Sequence, residues 1–418
     1  MKFAFVVPRY GAELGGGAEA LMRSLALDLV AQKTIPVELE IWTTCAKDHR
    51  TWENAHAPGV TIEDNIVVRR FQVDPRDVDV FLHAEFALQA GRVLSVSEQL
   101  NWLGASVNSK ELYRHIAAHG EQYDALFFAP YLFGTTFWGS LIYPDKSVLI
   151  PCLHDEAYAY QDVFRVQMRS IRGIIGNAAP ELELAAELYG RDCIESKSAV
   201  VGMTFVDEQR LNLESTQTSR EDDFRNRPFL LYSGRKEEGK NLHLLIDWFE
   251  DCAIPEMDLL LIGAGEIGFR KSLPANVYDL GFVSADERAR LMAGAVALIQ
   301  LSTNESFSIV MMEAWLLGTP CIVHSNCRVT RDHVVSSGGG AYVGSSEEFK
   351  AVIDLLYEDK DLRCRMGQLG KEYVCKEYSS KAVIGRFFGF LRKVGLLDGV
   401  DSELKCDLSE KGEVGCAK

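Results

Sequence analysis

Short apolar segments alternate with amphipathic ones along this chain; the alternation breaks off between Asp207 and Arg227 and then starts again. Apolar strands separated by helices are what a mostly parallel sheet covered on both faces requires. In the first half the strand-like segments are Lys2–Pro8, Val37–Thr43, Val67–Phe71, Ala125–Ala129, Val148–Leu153 and Ala199–Phe205. Helical patterns fall at Ala18–Val30, Glu85–Arg92 and Ser109–His119. The second half offers strands at Phe229–Ser233, Asp258–Gly263, Val277–Gly281, Val296–Leu301 and Cys321–His324. Its helices start at Asn241 and run over Ala285–Ala293, Ser308–Leu317, Glu347–Tyr357 and Asp361–Glu377. Between the halves, Glu214 to Asp223 has no apolar period and reads as a linker. A chain of 418 residues exceeds one ordinary core. The expectation is an α/β protein of two domains, 1–207 and 228–378, joined by a linker at 208–227. An aromatic amphipathic segment at 379–397 contains Phe387, Phe388 and Phe390, and a polar tail at 398–418 cannot order itself.

A net charge of −16 with no concentrated basic run argues against nucleic acid as a partner. The ten cysteines are scattered, form no Cys-x-x-Cys, and lack neighbours at zinc-ligand spacing. Several lie in apolar runs, as Cys152 does, and read as small core residues, and the pattern fits a protein of the reducing cytoplasm. Met1 to Arg9 is too short in its apolar part for a signal peptide and reads as a buried first strand. Ala125 to Tyr143 carries no charge and is about long enough to span a bilayer, but Pro130, Gly134 and Gly139 interrupt it. A strand, a loop and a short helix are expected there rather than a membrane span; peripheral membrane contact stays open.

Several residues could carry chemistry. Gly15-Gly16-Gly17 stands between the first strand and the first helix, where free N–H groups and the helix dipole favour an anion. A plain tight turn would look the same. No Gly-x-Gly-x-x-Gly and no P-loop is present, so dinucleotide oxidoreductases and P-loop NTPases are not supported. Arg235 lies just past the strand ending at Ser233, and Lys240 follows five residues on. Cations at the carboxyl edge of a parallel sheet can neutralise phosphates, although Lys236, Glu237 and Glu238 also fit a solvated loop. Glu305 precedes a helix and Glu313 lies within it, so they do not read as a close carboxylate pair of glycosidase type. Glu313 sits in an apolar run where a carboxylate needs a partner or a role. His154 follows a strand end, again at the presumed cleft. Asp77-Val78-Asp79 matches a short metal-binding pattern, but its surroundings read as a surface loop.

Taken together these segments resemble the retaining glycosyltransferases of the GT-B fold, family 4, also called group 1. Glu305-Ser-Phe-Ser-Ile-Val-Met-Met-Glu313 matches the Glu-x7-Glu signature, followed by Gly318-Thr319-Pro320. Gly234-Arg235-Lys-Glu-Glu-Gly-Lys240 matches the Gly-Arg-x4-Lys element. The N-terminal glycine turn and His154 correspond as well. Ser306 and Ser308 replace the two glycines of the commoner Glu-Gly-Phe-Gly.

The resemblance implies two Rossmann-like domains facing across a cleft, with the last helix crossing back to the first domain. It implies a nucleotide-diphosphate sugar as donor substrate, with no further cofactor and no metal. Arg235, Lys240 and the Gly234 turn would hold the diphosphate, Glu313 the ribose and Glu305 the donor sugar. The backbone from Ser306 through Phe307 and Ser308 to Ile309 would cradle the phosphates, and Gly16 and Gly17 would close on them. His154 would touch the sugar, and Phe282 and Val283 would meet the base. The acceptor could be a saccharide, a lipid-linked molecule or a small molecule, met by the first domain around Val80–Asn101. Two rival readings share the fold: an epimerase acting on the donor alone, and a catalytically silent nucleotide-sugar-binding subunit.

Overall fold

A computed structural model describes residues 1–12, 14, 16–205, 227–270 and 272–397. The expected linker therefore lies outside the described residues except for Arg227, and so does the 398–418 tail.

The first sheet contains β1 (Lys2–Val6), β2 (Glu38–Thr44), β3 (Gly59–Glu63), β4 (Ile66–Phe71), β5 (Ala125–Phe128), β6 (Ser147–Leu149), β7 (Gly173–Gly176) and β8 (Ser198–Val200). Their order is β3-β4-β2-β1-β5-β6-β7-β8, and every pair is parallel except β3 with β4. The central strands are apolar throughout because helices cover both faces: Ala125 to Phe128 are all fully buried. The edge strand β3 instead exposes Val60 and Ile62. Asp64 and Asn65 turn it into β4 with positive φ at both positions, the backbone a two-residue hairpin needs.

The second sheet contains β9 (Phe229–Ser233), β10 (Asp258–Ile262), β11 (Val277–Gly281), β12 (Ala297–Gln300), β13 (Cys321–His324) and β14 (Gly340–Val343). It is wholly parallel, in the order β11-β10-β9-β12-β13-β14. Strand order reverses between β1 and β5 in the first sheet and between β9 and β12 in the second. Ligands of open α/β sheets bind at those two switch points, at the carboxyl ends of the strands.

Helix Ser380–Lys393 follows the second domain in sequence but packs on the first sheet. Phe387 lies edge-on to Phe3 at 6.1 Å and close to Phe127 at 5.2 Å. Arg386 donates to the carbonyl of Val201, and Arg172 to that of Val394. The chain's two passages between domains touch: the N–H of Phe205 donates to the carbonyl of Tyr378 at 2.9 Å.

Several boundaries differ from the sequence reading. The segment at 125–143 is a strand, a loop and helix Gly134–Ser140, and no helix among the described residues is long and apolar enough to cross a membrane. The strand expected over Val148–Leu153 ends at Leu149, because Pro151 has no N–H and Cys152 turns to φ 51°. Likewise β8 stops at Val200 rather than Phe205. Asp77-Val78-Asp79 is not a loop but a helix start: Asp77 caps helix Val78–Gln89 by accepting from the N–H of Val80. That helix begins earlier than the expected Glu85. Helices Val96–Ala105, Asp162–Ser170, Ala179–Tyr189 and Arg328–Ser337 and strands β3, β7 and β14 had no counterpart in the reading.

Candidate active site

The carboxyl edges of the two sheets face each other. Glu237, after β9, pairs with Arg235 at 3.2 Å and with Arg50 of the first domain at 3.7 Å. His49 loses proton affinity through burial and through Arg9 and Arg235, one cation from each domain. The Cys152 thiol, past β6, lies against the Ser306 hydroxyl and near Glu19; burial pushes its pKa up. Helix Ala179–Tyr189 meets helix Arg328–Ser337 through Glu183 and Glu187, which hold Arg328 at 3.0 and 2.9 Å.

On the second domain the switch point between β9 and β12 gathers three of the expected residues. Lys240 reaches Glu305 at 2.6 Å, and the Gln300 amide donates to the same carboxylate oxygen at 3.0 Å. Both partners are partly shielded, with side chains 24% and 11% exposed. Arg235 is more open and lies at the mouth. Close packing of the loop ends explains Gly263 beside them: a Cβ there would run into the carbonyl of Gly234.

Glu305 leads into helix Ile309–Leu316, whose first N–H groups point toward this edge. Ser308 is its N-cap at φ 73°, a left-handed conformation that costs a serine more than a glycine. The Ser308 hydroxyl is buried with no hydrogen-bond partner among the described residues, and it does not cap the helix. The Phe307 side chain is buried against Phe205, Tyr378 and His333, at ring separations of 5.7, 5.0 and 5.3 Å. That leaves only the backbone of Phe307 for a ligand, while Ser306 and Ile309 stay half-buried.

Glu313 has the partner its apolar surroundings demand. It is paired with Arg288 of helix Ala285–Gly294, and burial still raises its pKa against the pull of that guanidinium. Phe282, past β11, is 85% exposed, and Val283 beside it is half-buried. Lys236 does not belong to a solvated loop: it is buried and ion-paired with Asp279 at 2.6 Å.

On the first domain, Gly16 caps helix Gly17–Ala31 with extended backbone, and Gly17 borders open space. Glu19 folds back over Gly16 and pairs with Arg9, which also donates to the carbonyl of Lys47 at 2.9 Å. His154 is half-buried, with Nδ1 3.7 Å from Glu156, whose carboxylate also accepts from the Tyr131 hydroxyl. Among the described residues no group of three His, Cys, Asp or Glu could hold a metal ion.

A cavity of about 630 Å³ opens elsewhere, at the interdomain junction, lined by Ala178, Val200, His333, Tyr373, Tyr378 and Arg386. It contains none of the expected site residues. The cations and carboxylates at the strand ends, not this cavity, carry recognisable chemistry.

Residues 215–373 match the family model described as glycosyl transferases group 1. The lipopolysaccharide core biosynthesis glycosyltransferase LpsE of Rhizobium meliloti (strain 1021) is 26% identical over 173 residues, 39% of this chain and 49% of that protein. The N-acetyl-alpha-D-glucosaminyl L-malate synthase of Bacillus anthracis is 28% identical over 145 residues, 32% of this chain and 37% of its own length. The chain thus matches half or less of these relatives. Anabaena HepE in complex with UDP superposes with a TM-score of 0.66 at 17% identity, covering 94% of this chain and all of that one. The fold is GT-B.

Proposed function

We propose that this protein is a glycosyltransferase that binds a nucleotide-diphosphate sugar at the β9/β12 switch point and transfers the sugar to an acceptor hydroxyl with retention of configuration. The observation that carries the reading is the contact of Lys240 with Glu305 at 2.6 Å, beside Arg235 and the start of helix Ile309–Leu316. A phosphate-neutralising cation and a carboxylate able to read sugar hydroxyls stand next to each other, so one donor can span both. Glu313, with Arg288, lies farther along the same helix, where the ribose would bind; Phe282 and Val283 would meet the base. The match to the group 1 family and the UDP in HepE support a nucleotide donor.

In this reading Arg235, Lys240 and the helix N-terminus stabilise the departing diphosphate, the step most open to preorganised charges. They serve in place of a metal ion. His154, Gly16 and Gly17 approach from the first domain, which also receives the acceptor. The departing diphosphate takes the proton of the incoming hydroxyl, so attack comes from the leaving-group face. The free state of all eight described cysteines supports a reducing, cytoplasmic setting.

The test begins with a thermal-shift screen of nucleoside diphosphates and their sugars. The selected donor, of known anomeric configuration, is then followed by NMR during transfer or hydrolysis. A first-formed product with the donor's configuration, and activity that survives EDTA, are expected. Inversion would replace the front-face mechanism with a general base, and loss on chelation restored by Mn²⁺ would move the phosphate chemistry to a metal.

A further inference from the structure

Glu181 is the third residue of helix Ala179–Tyr189 and is 1% exposed. A glutamate at this position ordinarily reaches back to the N-cap N–H and stays solvated. Glu181 does more. One carboxylate oxygen accepts from the N–H of Leu153 at 2.7 Å, and the other from the N–H of Asn177 at 2.5 Å. The N–H of Ala178 also serves it, and among the described residues no cation acts on it. A single carboxylate thereby fastens the chain after β6 to the chain after β7, at the sheet edge that faces the second domain.

What it fastens is a strained turn. Cys152 holds φ 51°, a conformation a non-glycine residue keeps only when its surroundings impose it. Asn177 donates to the Cys152 sulfur at 3.7 Å, and that sulfur lies against the Ser306 hydroxyl of the opposite domain. The residue after Leu153 is His154. Burying a carboxylate without a counter-ion is costly, so stability alone is a poor reason for a glutamate here. Its three backbone partners all lie in the turns that place Cys152 and His154.

We propose that Glu181 is a positioning residue for the transfer reaction: by holding the N–H groups of Leu153 and Asn177 it sets where His154 stands on the first domain and where Cys152 meets Ser306 of the second. The inference rests on the reading above, in which the His154 turn meets the transferred sugar. Displacing such a turn by about 1 Å can cost about 10²-fold in turnover while leaving remote contacts intact.

The test uses E181Q, E181A, H154A and the E181Q/H154A double variant of the full chain. Hydrogen–deuterium exchange of the peptide spanning 150–156 should rise at least about tenfold in E181Q, with β1 and β5 unchanged. In kinetics with the donor selected by the screen, E181Q should lower kcat by about 10–100-fold while nucleoside diphosphate affinity stays within about twofold. H154A should cost little further in the E181Q background. Unchanged exchange in both E181Q and E181A overturns the proposal. So does equal loss of diphosphate binding and turnover, which would mark general destabilisation. If H154A alone leaves turnover intact while exchange at 150–156 rises in E181Q, the hold on the turn stands and the sugar-contact reading of His154 falls.

Discussion

Replacing Lys240 with alanine should affect stability and ligand binding by separable amounts. The lysine sits 2.6 Å from Glu305, and their side chains are 24% and 11% exposed. Breaking a fully buried pair costs roughly 3–5 kcal/mol and an exposed one under about 1 kcal/mol. Partial shielding puts K240A near 2 kcal/mol, moderated because Gln300 still donates to the stranded carboxylate. E305Q removes the charge but keeps the shape, so K240A/E305Q should be more stable than K240A alone, with a coupling of about 1–2 kcal/mol. Nucleoside diphosphate binding separates the two residues further. K240A loses a charge-assisted contact worth about 1.5–3 kcal/mol, or one to two decades in Kd. E305Q releases Lys240 from its carboxylate, so diphosphate binding should hold or tighten while turnover falls. Urea denaturation of the four proteins and calorimetric titration with the nucleoside diphosphate measure both quantities. An unchanged Kd in K240A, or a loss in E305Q as large as in K240A, would refute the division of labour between phosphate and sugar.

Three further outcomes are expected. Glu313→Ala should abolish discrimination between a ribonucleoside diphosphate and its 2′,3′-dideoxy analogue, a preference of about 5–50-fold in the wild type, read as a ratio of Kd values. Glu181 has its pKa raised to about 7 in the folded state, against 4.5 ordinarily. Its protonated form is the one the fold favours, so the linked stability is complete below pH 4.5 and is lost as pH rises through 7, on the order of 3 kcal/mol. E181Q should flatten that part of the stability–pH curve; a curve parallel to wild type between pH 4.5 and 7.5 would contradict the assignment. Phe387→Ala should destabilise the first domain by about 3–5 kcal/mol, since the ring is fully buried between Phe3 and Phe127. A melting temperature unmoved by that change would show that helix Ser380–Lys393 contributes nothing to the first core.

Much of this fold was legible because a strand buried on both faces must be a nearly unbroken apolar run, as Ala125 to Phe128 and Phe229 to Tyr232 are. Short strands that contain glycine or end against polar turns, such as β7 and β14, lack that signal. Helix Val78–Gln89 starts at an aspartate cap that also satisfies a metal-binding pattern, and only its bond to Val80 separates the two readings. Lys240 and Glu305 could be named from spacing, but not their contact, which depends on β9 and β12 being neighbours in a sheet whose order departs from chain order. Arg288, the partner of Glu313, comes from a different helix and carries no local mark. The motif marks the backbone of Phe307 but says nothing of its ring, which is drawn into packing between domains. Glu181 was invisible for a similar reason: a glutamate in a first helical turn is ordinary until Leu153, 28 positions away, is found bound to it.

The bond from Phe205 to Tyr378 makes the two domains a door rather than a ball joint. One connecting strand would allow swing and twist alike; two strands tied side by side leave chiefly rotation about the line that joins them. Phe307 packs against both passages, stacked on Phe205 and edge-on to Tyr378, between Ser306 and Ser308 in the chain. Swinging the door therefore turns a ring that is continuous with the backbone leading into helix Ile309–Leu316. Arg328, gripped by Glu183 and Glu187, acts as a latch between the leaves. The geometry predicts that the angle between domains and the posture of the 305–308 backbone vary together, and that high salt, which weakens the latch, loosens both at once.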